Sequence, residues 1–132
     1  MLELTSQTTF LYVEDMQAAR HFFDDIMGLE VVYDPIWACV WRTGADSFLG
    51  VVDHKSQRGV IRSRNKGGTL VSFTVREIEK THEYLGNQDC VSYVSPMRFI
   101  EDIGLKSFLF RGPEGYMFEV QEFTNVELQN LF

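Results

Sequence analysis

The chain has 132 residues, enough for one domain with a proper core, and its 45% hydrophobic and 23% charged residues are globular values that exclude disorder and collagen-like order. A formal net charge of −7 argues against a nucleic-acid partner, and no basic run is present to meet an anionic membrane. No apolar stretch reaches the roughly 18–20 residues that span a bilayer, and the first residues lack the basic region and apolar block of a secretory leader, so a cytoplasmic protein is expected.

Residues 8–13 read as a strand. Asp15 stands where an N-cap would, ahead of a helix over 16–27 in which Met16, Ala19, Phe22, Phe23 and Ile26 recur at helical spacing, and Gly28 is a natural stop. Strands over 29–33, 37–42 and 48–52 follow, separated by Asp34-Pro35 and by the turn Thr43-Gly44-Ala45-Asp46. Residues 53–68 are polar and carry five of the twelve Lys and Arg residues, which suits a surface connector. Cys39 and Cys90 stand singly, without Cys-x-x-Cys spacing, and read as two reduced, partly buried thiols.

The pattern then starts again: a strand over 70–75, a helix over 77–85 with Ile78, Thr81 and Leu85 inward, a strand over 91–94, and a hairpin of strands 105–110 and 116–123. Leu11, Val13, Met16, Phe22 and Phe23 map onto Phe73, Val75, Ile78, Tyr84 and Leu85 at one offset of 62 residues. Arg42, Leu49 and Val51 map onto Arg111, Phe118 and Val120 at an offset of 69. One loop insertion accounts for the change, so the chain reads as two copies of a β-α-β-β-β module. The boundaries expected are 5–54 for the first module, 55–68 for the connector, 69–124 for the second, and 125–132 for an apolar tail that packs on this chain or on a partner.

The second hairpin turns through Gly112-Pro113-Glu114-Gly115, where proline presets one corner and glycine accepts positive φ. Its outgoing strand holds Glu119 among apolar neighbours, with Met117 and Gln121 on the same face. A carboxylate there must be solvated, paired, hydrogen-bonded or metal-bound.

With its paired modules, the opening Leu11-Tyr12-Val13-Glu14-Asp15-Met16 and Phe22-Phe23-Asp24-Asp25-Ile26-Met27-Gly28-Leu29, and the closing Phe110-Arg111-Gly112-Pro113-Glu114-Gly115-Tyr116-Met117-Phe118-Glu119-Val120, the chain resembles the vicinal oxygen chelate superfamily over about residues 5–124. That group includes glyoxalase I, bleomycin resistance proteins, fosfomycin resistance enzymes and extradiol dioxygenases. The resemblance implies an α+β fold in which tandem modules curl their sheets around a concave cleft with helices outside, and it implies a homodimer. In metal-dependent members the ligands are a His or Gln, a Glu, a His and a Glu on four strands. By the resemblance those positions fall on Thr8, Gly50, Leu70 and Glu119, so only Glu119 matches. One carboxylate cannot dehydrate and hold a divalent ion, so no metal or other cofactor is expected. Asp53 and His54, just past the fourth strand, are the nearest replacement donors; His21 and His82 fall on helices and read as surface residues.

By strand parity Thr8, Phe10 and Tyr12 line the cleft, as do Leu70, Ser72 and Thr74, with Glu119 and Met117 beside them. Trp37, Cys39 and Trp41 share one face of the third strand, and Ala38, Val40 and Arg42 the other; if the tryptophans point inward, Trp37 and Trp41 join the lining. Such a lining suits a small flat, apolar or cationic molecule, with Glu119 as anchor unless Arg98 or Arg111 neutralises it. The expected function is therefore small-molecule binding without the usual metal site. The alternatives are a metal-dependent glyoxalase-like lyase or isomerase, or a dioxygenase, with rearranged ligands, and a scaffold that associates through its tail.

Overall fold

The computed structural model describes residue 3, residues 5–58 and residues 69–132. Residues 59–68 of the expected connector lie outside the described residues. The chain divides into two compact units, residues 1–65 and 66–132.

In the first unit β1 (Gln7–Val13) leads into α1 (Met16–Arg20), followed by β2 (Glu30–Tyr33), β3 (Ala38–Arg42) and β4 (Ser47–Asp53). The sheet order is β1-β4-β3-β2, with β1 parallel to β4 and the other pairs antiparallel. Asp15 caps α1 as expected, its carboxylate accepting from the Ala18 N–H at 2.9 Å. The helix does not continue as α to residue 27. From His21–Ile26 it widens into a π-helical turn, in which the Met27 N–H reaches the Phe22 carbonyl at 2.9 Å. The wider turn lets the adjacent rings of Phe22 and Phe23 both lie buried on the sheet, and Gly28 then ends it at φ 66°.

Leu11, Val13, Cys39, Trp41, Leu49 and Val51 form the helix-facing side of this sheet, all buried with Phe22 and Phe23. Trp41 sits 4.9 Å from Phe23 between ring centroids and donates from Nε1 to Asp24 at 2.6 Å. Burying each such aromatic side chain contributes about 1.5–3 kcal/mol. Trp41 is therefore core, not cleft lining, and that part of the sequence expectation is overturned. Cys39 is fully buried, where desolvation pushes its thiol upward, while Cys90 is exposed; both are free.

In the second unit β5 (Val71–Thr74) and α2 (Ile78–Gly86) are followed by β6 (Tyr93–Val94), β7 (Arg98–Ile100), β8 (Leu105–Arg111) and β9 (Met117–Phe123). The order β5-β9-β8-β6 repeats the first sheet, β5 being parallel to β9; β7 also pairs with β8 and was not expected from the sequence. Its core is a ladder of stacked rings, Phe73–Phe118 at 5.8 Å and Phe110–Phe118 at 5.2 Å, under Ile78 and Leu85. His82 is not a surface residue: its Nε2 bonds the Ser95 carbonyl at 2.8 Å, and its ring meets the edge of Phe108 at 4.7 Å. His21 is exposed beside Asp25, 2.8 Å away.

The two internal offsets survive as strand register. Phe10 pairs with Gly50 and Leu11 with Val51, as Ser72 pairs with Glu119 and Phe73 with Val120. The tail forms α3 (Val126–Leu131), capped by Asn125, and Phe132 stacks on Phe123 at 5.0 Å between centroids. Among the described residues no helix is long and apolar enough to cross a membrane.

Ile36, in the corner between β2 and β3, has φ 77° and is 84% exposed. A β-branched residue in this region is strained by about 1–3 kcal/mol. Ile36→Gly should raise the melting temperature, with a net gain of about 0.5–1 kcal/mol once the extra freedom of unfolded glycine is subtracted. A lower melting temperature would show that the corner is not strained.

Candidate functional site

Each sheet has one face covered by its helix and a second face whose residues follow from the register. On the first sheet that face carries Thr8, Phe10 and Tyr12 from β1, Phe48, Gly50 and Val52 from β4, and Ala38 and Val40 from β3. It holds a cavity of about 220 Å³ lined by Phe10, Tyr12, Tyr33, Trp37, Ala38, Val40, Val52 and Arg58. The expected lining residues Phe10, Tyr12 and Trp37 thus come together, while Thr8 lies outside the cavity.

Trp37 stands just before β3, whereas Trp41 lies within it. Strand alternation puts them on one face only if both lie in the strand, and β3 begins at Ala38. Trp37 precedes it and lines the open side, although its carbonyl still accepts from the Asp53 N–H at 2.9 Å. Tyr33 and Arg58 were not readable as site residues, because one ends an edge strand and the other follows a loop.

The corner that presents Tyr33 and Trp37 is tied to α1. Arg20 donates to both oxygens of Asp34, at 2.6 and 2.9 Å, and also to the carbonyls of Ile36 at 3.1 Å and Ala38 at 3.4 Å. Asp34 in turn accepts from the Ile36 N–H at 3.0 Å. The Arg20 hydrogen bonds, then that N–H, hold the Asp34 carboxyl below the usual carboxylate range, and Asp34 raises the Arg20 guanidinium.

The floor of the first sheet is closed by Phe10. A Cβ added at Gly50 would run into the Phe10 ring, so the ring lies directly over a strand position that has no side chain. Phe10 is nonetheless 48% exposed.

On the second sheet the corresponding face is polar. Ser72 donates to Glu119 at 2.6 Å, and Arg98 approaches its other oxygen at 3.6 Å while donating to Ser107 at 3.2 Å. Gln121 donates to Thr74 at 3.0 Å. Met117 is half-buried on this face, and Leu70 precedes β5 and is exposed. Arg98 is the cation that meets Glu119; Arg111 donates instead to the Gly115 carbonyl at 3.1 Å.

Asp53 and His54 are committed to the backbone. Asp53 accepts from the Lys55 N–H at 2.9 Å, and His54 Nδ1 bonds the Val13 carbonyl at 3.2 Å. Among the described residues no group of three or more His, Cys, Asp or Glu side chains is placed to hold a metal ion.

No protein-family profile and no curated protein matches the sequence. Solved structures do match. A lactoylglutathione lyase from Agrobacterium tumefaciens is 22% identical, with a TM-score of 0.69 over 87% of this chain and 90% of its own. The fold is that of the glyoxalase, bleomycin resistance and dioxygenase proteins. A protein of that description from Nocardioides superposes with a TM-score of 0.71 at 17% identity, over 96% of this chain and 87% of its own. The fosfomycin resistance protein FosX from Listeria monocytogenes, solved with Mn(II) and sulfate, gives 0.72 at 17% identity over 98% and 96%. At such identities this glyoxalase-type likeness is one of architecture, and the side chains must be read for themselves.

Two outcomes test this geometry. Gly50→Ala should cost about 1–2 kcal/mol by crowding the Phe10 ring, and most of that loss should vanish in a Phe10→Ala background; strictly additive losses would contradict the contact. Asp34→Asn should be less stable than wild type at pH 7 by up to about 1 kcal/mol, the ceiling for a half-exposed pair. Because the folded Asp34 carboxyl titrates below its unfolded value near 3.9, its contribution is complete above that value and is lost as pH falls through the lower one. Melting curves of the two proteins should converge below about pH 4; a constant gap would contradict the pairing.

Proposed function

We propose that this chain binds a small, flat, largely apolar molecule in the hollow of the first sheet, without help from a divalent ion. The observation that carries this reading is the hollow itself, with the rings of Phe10, Tyr12, Tyr33 and Trp37 around a floor of Ala38, Val40 and Val52. Apolar walls with few polar groups are the common makeup of small-molecule sites, and the roughly 220 Å³ here suits one or two fused rings.

The positions where metal-dependent relatives of this fold place ligands do not fit a divalent ion. Thr8 offers one hydroxyl, Leu70 offers nothing, and Gly50 has no side chain and lies under the Phe10 ring. Glu119 is the one acid retained, and its oxygens already face Ser72 and Arg98. That engagement also weakens Glu119 as an anchor for a cationic ligand.

A second reading, a metal-dependent lyase, isomerase or dioxygenase, is favoured by the retained Glu119 and by the likeness to a lactoylglutathione lyase and to a Mn(II)-bound FosX. Elemental analysis of protein purified without chelator separates the two. A stoichiometric divalent ion would replace the first reading with the second.

Thermal-shift screening with flat apolar compounds should find stabilisers whose effect survives EDTA, since a ligand that binds only the native state raises its melting point. Flat curves throughout, or stabilisation that chelator abolishes, would overturn the proposal. Trp37→Ala should weaken such a ligand by about tenfold or more with little change in melting temperature. Trp41→Phe should do the reverse, costing about 2 kcal/mol or more through the lost bond to Asp24 and the void left behind, with affinity unchanged.

A further inference from the structure

We propose that Arg58 makes the hollow of the first sheet selective for anionic aromatic molecules, with the ring set against Trp37 and Phe10 and a carboxylate or phenolate edge turned to the guanidinium. This rests on the reading of that hollow as a ligand site and adds the charge of what enters it.

Arg58 lines the hollow, and its guanidinium carbon lies 5.9 Å from the centre of the Trp37 ring. Three other described arginines are committed to acids. Arg20 is held by Asp34, Arg42 by Glu30, and Arg98 by Glu119 and Ser107. Among the described residues the Arg58 guanidinium has no carboxylate or carbonyl partner; its one hydrogen bond is from its backbone N–H to the Ser56 hydroxyl at 3.1 Å. Among the described residues no Asp or Glu lines the hollow.

Four aromatic rings around an apolar space would by themselves favour a cation, as aromatic cages do. Here a protein cation already stands over one face of Trp37. An incoming ammonium would meet a like charge at the mouth, with no carboxylate to offset it. The repulsion between two such charges, in surroundings drier than bulk water, exceeds the attraction an exposed ring offers. An anion meets the opposite balance: the guanidinium presents a planar fork of donors matched to a carboxylate.

The test uses three ring-matched probes on the full chain: naphthoate, naphthylmethanol and naphthylmethylammonium, followed by tryptophan emission and calorimetry at low and physiological salt. All three should bind, with naphthoate at least about tenfold tighter than the ammonium and a margin that narrows as salt screens the contact. Arg58→Gln should bring the two charged probes within about twofold of each other, and Arg58→Glu should invert their order. If naphthylmethanol binds and the charged probes bind equally, or if Arg58→Gln leaves their ratio intact, the selectivity is overturned while the hollow stands. If no probe binds, the reading of the hollow fails and the selectivity falls with it.

Discussion

The parallel pairing of the first strand of each sheet with its last governs everything else in this protein. It places residue 10 beside residue 50 and residue 72 beside residue 119, in one repeated register. Parallel pairing needs a crossover, and the crossover helix covers one face, so functional side chains can collect only on the other. On the covered faces both copies bury aromatic rings. The two open faces were free to diverge.

Their divergence is chemical rather than architectural. Where the second sheet sets Ser72 against Glu119 and draws in Arg98, the first sets Phe10 over Gly50. The missing side chain at Gly50 and the ring of Phe10 belong together, since a side chain at residue 50 would clash with that ring. The result is an apolar hollow in one module and a satisfied polar network in the other. Neither the Ser72 hydroxyl nor the Glu119 carboxylate is left waiting for a partner.

A strained residue sits between two residues that line the hollow. Ile36 holds a backbone conformation that β-branched residues avoid, and it does so between Tyr33 and Trp37, both of which line the cavity. The corner persists because Arg20 grips Asp34 and two carbonyls at once. A local cost of this kind, held in place by surrounding bonds, is how aromatic side chains are kept where alternation alone would not put them.

Much of this was legible in the sequence. The offsets of 62 and 69 residues encode the repeat, and parity along β1 assigns Phe10 and Tyr12 to the open face, because both depend only on local periodicity. Periodicity could not tell Trp37 from Trp41, because Trp37 stands just before β3 and lines the hollow while Trp41 lies within the strand and bonds Asp24. Nor could it show the π-helical turn that buries adjacent phenylalanines, the short strand Arg98–Ile100, or the bond that draws His82 inward. What the sequence determined by itself was the pair of modules and the inward stripes of their strands and helices, since hydrophobic spacing is a property of the chain. Tertiary structure alone decided which aromatics frame the hollow and that Arg58 lines it, because Arg20, from a helix distant in the chain, holds the corner that presents Tyr33 and Trp37, and Arg58 meets Trp37 only once the chain has folded.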